Sequence, residues 1–169
     1  CLGGFYRIVR GHRSRLAGPE SRLRGDAPLI RADSLRQLVE QAETGGLALL
    51  TMELPDAGAY GRIVRDAEGS ITSIVEKKDA TAEQLAIREI NTGFLAAPAE
   101  KLQHWLSRLS NDNAQGEYYL TDIVAMAVDE GYSVVSRNPA KVTEIEGINS
   151  KVELARMERT YQSEQADAL

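Results

Sequence analysis

An α/β fold is the architecture this sequence predicts, and three observations predict it. Continuous apolar runs of strand length, such as Leu47 to Met52, recur along the chain. Amphipathic stretches of helical period alternate with them. The chain has 169 residues, 43% of them hydrophobic and 27% charged, which suffices for one domain with a core.

The elements follow in order. Residues 1–24 show neither helical nor strand periodicity, and Gly3-Gly4, Gly11 and Gly18-Pro19 interrupt them, so order is expected from Gly25 onward. Ser34 is placed to cap a helix through roughly Glu43, with Leu35, Leu38, Val39 and Ala42 on one face. Gly45-Gly46 stops it before the buried strand Leu47 to Met52. Gly61 to Arg65 and Ser70 to Glu76 flank Asp66-Ala67-Glu68-Gly69 as a hairpin. Thr81 with Gln84 forms a capping box for a short helix. Asn91 to Ala97 reads as a second buried strand. Pro98 then opens a helix carrying Leu102, Trp105, Leu106 and Leu109. A polar loop leads into a helix from about Leu120 to Glu130. Tyr132 to Ser136 and Val142 to Ile145 read as short strands, and Ser150 with Glu153 caps a charged terminal helix.

Charge is unevenly spread. Residues 1–24 hold six Arg and one acid, a net of +5 against −5 for the whole chain, leaving −10 for the rest. That acidic body argues against a nucleic-acid surface. The basic arm reads as a solvated tail that could touch phosphate. The one cysteine, Cys1, permits no internal disulfide and fits a reducing, cytoplasmic setting. No apolar run reaches membrane-span length, and nothing near the start reads as a signal peptide.

Familiar catalytic signatures are lacking. His12 and His104 have no ligand partners at metal spacing. Neither a Walker loop nor a Gly-x-Ser-x-Gly elbow occurs. Arg24-Gly25-Asp26 spells an adhesion tripeptide, a match that arises readily by chance. Five segments carry more together: Gly25-Asp26-Ala27-Pro28-Leu29, Gly58 to Ile63, Ile74 to Asp79, Glu89 to Gly93, and Glu146 to Asn149. Each puts glycines or polar groups at a strand end, where α/β sheets collect ligands. Each alone also has a plain structural reading: Gly25-Asp26 a turn, Glu76 a solvated strand end, Asn91 a cap.

In this order, and with Asn111-Asp112-Asn113-Ala114-Gln115-Gly116-Glu117-Tyr118-Tyr119-Leu120-Thr121-Asp122 and Tyr161-Gln162-Ser163-Glu164-Gln165-Ala166, the segments resemble a known family. It is the uridylyltransferase domain of the bacterial bifunctional N-acetylglucosamine-1-phosphate uridylyltransferase / glucosamine-1-phosphate acetyltransferase. The resemblance covers residues 25–169 and implies a Rossmann-like α/β fold with a mixed sheet over 25–149, a terminal linker helix over 150–169, and an unmatched arm over 1–24. It implies uridylyl transfer from UTP to N-acetylglucosamine 1-phosphate with Mg²⁺. Asp26 and Asn149 look like its metal ligands and catalytic pair. Arg24, Gly25, Asp26, Gly61, Glu76, Asn91 and Asn149 look like its substrate-binding set, Glu76 and Asn91 on the amino sugar. The resemblance further implies homotrimers, formed through an acetyltransferase domain whose hexapeptide repeats do not occur here.

Departures matter as much. Residues 1–24 contain no Gly-rich phosphate loop with its Arg and Lys, and no Gln or Gly-Thr pair to read uracil. Arg24 stands where the family usually has Tyr, and Ala27 where it has Val. The expectation is therefore a partial domain, its N-terminal portion missing, with impaired activity. The alternative is a non-catalytic remnant that keeps only the amino-sugar side of the site.

Overall fold

A computed structural model describes residues 7–9, 27–44, 46–113 and 115–167. Among them six strands form one mixed sheet: β1 (Arg7–Val9), β2 (Leu47–Glu53), β3 (Arg62–Arg65), β4 (Ile71–Val75), β5 (Glu89–Ala96) and β6 (Val134–Arg137). The α-helices are α1 (Ala32–Glu43), α2 (Ala82–Leu85), α3 (Ala99–Leu106), α4 (Asp122–Asp129) and α5 (Lys151–Asp167). Strand order is β4-β3-β5-β2-β6, with β1 also paired to β5. β2 and β6 run parallel, β5 antiparallel to β2, and β3 antiparallel to both β4 and β5. No described helix is long and apolar enough to cross a membrane.

The sheet's two faces carry separate cores. Leu47, Leu49, Ile63, Leu95, Trp105 and Ile123 belong to the face covered by α3 and α4; Leu38, Ala48, Leu50, Ile90 and Ile145 belong to the face covered by α1. Strand residues alternate faces, so the unbroken apolar run of β2 is what burial on both sides requires. Trp105 anchors the first core with its indole N–H donating to Glu130 at 3.1 Å and its ring edge-on to Tyr132 at 5.7 Å.

The hairpin, the Thr81–Gln84 capping box and the Pro98 helix start form as the sequence predicts. Three expectations need correction. Arg7–Val9 is a strand, parallel to β5 through the pairs Arg7↔Phe94, Ile8↔Leu95 and Val9↔Ala96; main-chain pairing along an open edge needs no periodicity in the incoming segment. Val142–Ile145 is a 3₁₀ turn rather than a strand.

Ser34 does not cap α1, which starts at Ala32 after an extended Arg31 with no side-chain cap of its own. The acceptor is instead the buried carboxylate of Glu144, 1% exposed. Its Oε2 accepts from the Arg31 N–H at 3.2 Å and the Ser34 hydroxyl at 2.6 Å, and its Oε1 from the Lys141 N–H at 3.1 Å. A carboxylate more than a hundred residues away thus satisfies the helix start and meets its dipole.

Gly46 has a packing reason beyond ending a helix: a Cβ there would lie 2.1 Å from the Ser133 carbonyl oxygen. Two outcomes follow for urea unfolding. Gly46→Ala should lose roughly 1–3 kcal/mol or shift the β2–β6 pairing. Glu144→Ala strands buried donors and should lose roughly 2–4 kcal/mol; an unchanged unfolding midpoint would show that the carboxylate is not what holds α1.

Candidate functional site

Of the residues singled out from sequence, Gly61, Glu76 and Asn91 come together. Gly61 leads into β3, Glu76 follows β4, and Asn91 is the third residue of β5. The Asn91 N–H donates to the Gly61 carbonyl at 2.9 Å. A Cβ on Gly61 would sit 3.0 Å from Ile74 Cγ2 and 3.5 Å from Glu76 Oε1, so a side chain would press on Ile74 and reach ordinary contact with the carboxylate. The trio is level with the carboxyl end of β2, whose Thr51 pairs with Asn91.

Asn91 lies at an irregularity in the β2–β5 register. Gly93 adopts φ +85°, a backbone region that glycine enters freely. The Gly93 N–H donates to Asn91 Oδ1 at 3.1 Å. That bond identifies the oxygen end of the amide and leaves its N–H groups as the end to offer a ligand.

The loop before Gly61 is held from beneath. Arg62 is 4% exposed, and its guanidinium donates to the carbonyls of Ala57 at 3.4 Å and Gly58 at 3.2 Å, and to that of Tyr60. Its Nε finds no hydrogen-bond partner among the described residues. The segment ending in Asn149 reaches the same neighbourhood: Ile145 shares a core with Ala57 and Ile90. Glu146 lies close enough to Tyr60 to help burial raise the pKa of its phenol. Asn149 is exposed, its N–H donating to Glu153 at 2.6 Å at the start of α5. Arg24, Gly25 and Asp26 lie outside the described residues.

Sequence reasoning gave no individual role to the neighbours of Glu76. The Thr121 hydroxyl donates to Glu76 Oε1 at 3.0 Å, and Lys78 donates to Gln115 at 2.7 Å, tying the Asn111–Asp122 segment to the end of the hairpin. The signal was present, since these residues lie in the segment that carries the family resemblance. Burial raises the Glu76 pKa and the Thr121 hydrogen bond partly offsets this, while Asp79 and Asp122 push it up further. Asp122 is raised by burial and by Asp79. The Tyr119 phenol is pushed up to about 12 by burial, by its hydrogen bond to Asp79 and by the surrounding carboxylates. Acidic charge is thus concentrated around one acceptor group.

A polar cleft of about 500 Å³ opens separately where β2 and β6 end, lined in part by Glu53, Arg65, Glu89 and Arg137. Arg65 grips Glu89 through two 2.7 Å bonds, which hold the Glu89 carboxyl below the usual range. Glu89, from the segment Glu89 to Gly93, is a lining residue, whereas Gly61, Glu76, Asn91 and Asn149 are not. Among the described residues no group of three or more His, Cys, Asp or Glu could hold a metal ion.

Comparison with known proteins gives a close match. The chain is 54% identical over 153 residues to the bifunctional protein GlmU of Paraburkholderia phytofirmans. It is 54% identical over 147 residues to that of Azotobacter vinelandii, and 54% over 140 residues to that of Stutzerimonas stutzeri. These alignments cover 90%, 87% and 83% of this chain and 34%, 32% and 31% of the relatives, so the chain spans about a third of their length. No family model matches the chain.

The raised Glu76 pKa has a sign that can be checked. Below the ordinary carboxylate pKa, Glu76 is protonated folded and unfolded and carries no penalty. As pH rises from there through the higher folded value, the folded state holds its proton longer and stability falls. Glu76→Gln should therefore unfold at a higher temperature than the parent at pH 7, with the gap closing near pH 4. A gap that persists or widens in acid would contradict the direction.

Proposed function

We propose that this chain, similar along most of its length to a third of the bifunctional GlmU proteins, carries the amino-sugar side of a uridylyltransferase site. The reaction is transfer of a uridylyl group from UTP to N-acetylglucosamine 1-phosphate, giving UDP-N-acetylglucosamine and pyrophosphate. The observation that supports this reading is the gathering of Gly61, Glu76 and Asn91: the Asn91 N–H bonds the Gly61 carbonyl, and Glu76 Oε1 lies 3.5 Å from where a Cβ on Gly61 would stand.

In this reaction an oxygen of the sugar phosphate attacks the α-phosphorus of UTP. One P–O bond forms, the bond to the bridging oxygen breaks, and pyrophosphate leaves. No side-chain nucleophile is required, so catalysis is positioning and charge. Glu76 accepts from sugar hydroxyls. The Asn91 amide, turned by Gly93, donates to an acceptor on the sugar. Arg62 fixes the loop on which Gly61 sits.

Asp26 and Asn149 would hold Mg²⁺, since a carboxylate and an amide oxygen are hard donors that the ion accepts alongside phosphate oxygens. Bound there, it would supply charge neutralisation at the phosphates.

A second reading, a module that binds amino-sugar phosphate without turnover, is favoured by the content of residues 1–24. Their six arginines attract phosphate, but their sequence holds neither a Gly-rich phosphate-loop motif nor a lysine.

Calorimetric titration of this chain with N-acetylglucosamine 1-phosphate should give measurable binding. Asn91→Asp keeps the acceptor for Gly93 but removes the amide donors, and should weaken binding by roughly tenfold with little loss of stability. Equal affinity in parent and variant would remove Asn91 from the site. A pyrophosphate-release assay with UTP and Mg²⁺ separates the two readings: turnover within about tenfold of a full-length relative would refute the expectation of impairment.

A further inference from the structure

We infer that Thr121 is a positioning residue, whose buried hydroxyl fixes the carboxylate of Glu76 in the orientation that receives the amino sugar. The inference rests on the reading of Glu76 as an acceptor-sugar contact.

Thr121 stands immediately before α4, the position where a threonine hydroxyl ordinarily accepts from a backbone N–H of the first turn. It makes no such bond, and its own backbone is already helical, at φ −60° and ψ −22°. At 2% exposure the side chain has no access to bulk water. The hydroxyl instead donates to Glu76 Oε1 at 3.0 Å, 45 residues away in sequence. A hydroxyl diverted from its local role to one distant carboxylate sets that carboxylate's rotation. Holding Oε1 also determines where Oε2 points.

The surroundings make such a hold necessary. Asp79 and Asp122 both act on Glu76 as like charges, and Tyr119 and Glu117 lie in the same acidic group. Repulsion alone would swing a free carboxylate toward solvent. Gly61 is a near neighbour of the same oxygen, since a Cβ there would stand 3.5 Å from Oε1. The Thr121 bond also opposes burial and the neighbouring acids by favouring the ionised form of Glu76, which accepts and does not donate.

The test compares Thr121→Val, which removes the hydroxyl at similar volume, with Thr121→Ser, which keeps it. Glu76 is followed by carbon NMR of its carboxyl during a pH titration, with Asp79 and Asp122 followed alongside. Affinity for N-acetylglucosamine 1-phosphate is measured on the same proteins.

In Thr121→Val the Glu76 midpoint should move up and affinity should drop ~10-fold. In Thr121→Ser both should return to the parent values. In a Glu76→Gln background, Thr121→Val should cause a clearly smaller loss of affinity than it does in the parent. An unmoved Glu76 midpoint in a folded Thr121→Val protein overturns the inference. So does a loss of affinity that is the same with and without the Glu76 carboxylate. A parent chain that does not bind the sugar phosphate sinks the proposed function instead, and the Glu76 midpoint still decides whether Thr121 controls that carboxylate. If Thr121→Val unfolds, a Thr121→Ser protein with a shifted midpoint and weakened binding, although its hydroxyl is kept, also counts against the inference.

Discussion

The buried carboxylate of Glu144 is the point at which the two ends of this fold are held together. It is 1% exposed, and no lysine or arginine is found bonded to it among the described residues; two backbone N–H groups and the Ser34 hydroxyl satisfy it. A charge in such a place is tolerable only when several donors converge on it. Convergence has a geometric consequence. The start of α1 and the 3₁₀ turn Val142–Ile145 must lie against each other.

The second constraint lies in β5. This strand meets β2 along one edge, while β3 and β1 share the other, β3 near Ile90 and β1 over Phe94 to Ala96. The irregularity near Asn91 and the left-handed Gly93 bend the strand between these partners. The same bend gives the Asn91 side chain its local bond to Gly93. The feature that interrupts the sheet register therefore also sets the Asn91 amide, and sheet geometry and site geometry are not independent here.

Around Glu76 the balance runs against stability. Two aspartates and a half-buried setting disfavour its ionised form, and a single threonine hydroxyl works the other way. Perturbed carboxylates of this kind are enriched at functional sites. The Arg65–Glu89 pair a short distance along the sheet shows the contrasting arrangement, a carboxylate matched by a two-bonded guanidinium and held low in pKa.

The elements themselves were legible from the chain. The apolar run of β2, the Asp66–Gly69 turn, the Thr81–Gln84 box and Pro98 each act within a few residues, so local rules of periodicity and capping find them. Glycine and polar groups at strand ends marked the segments that hold Gly61, Glu76 and Asn91, and the family resemblance singled out those three residues within them. What the chain could not supply was any contact made across long separations. Ser34 looked like a cap because capping is local, yet its hydroxyl belongs to Glu144 more than a hundred residues on. Val142–Ile145 looked like a strand by composition, but the donors gathered by Glu144 favour a tight turn. Arg7–Val9 carries no period, and only an unfilled edge on β5 makes it a strand. Thr121 looked like part of a helix start, and only the packing of α4 against the hairpin turns its hydroxyl toward Glu76. Periodicity reports which face of a segment is buried; which buried donor meets which buried acceptor is decided by the docking of whole elements.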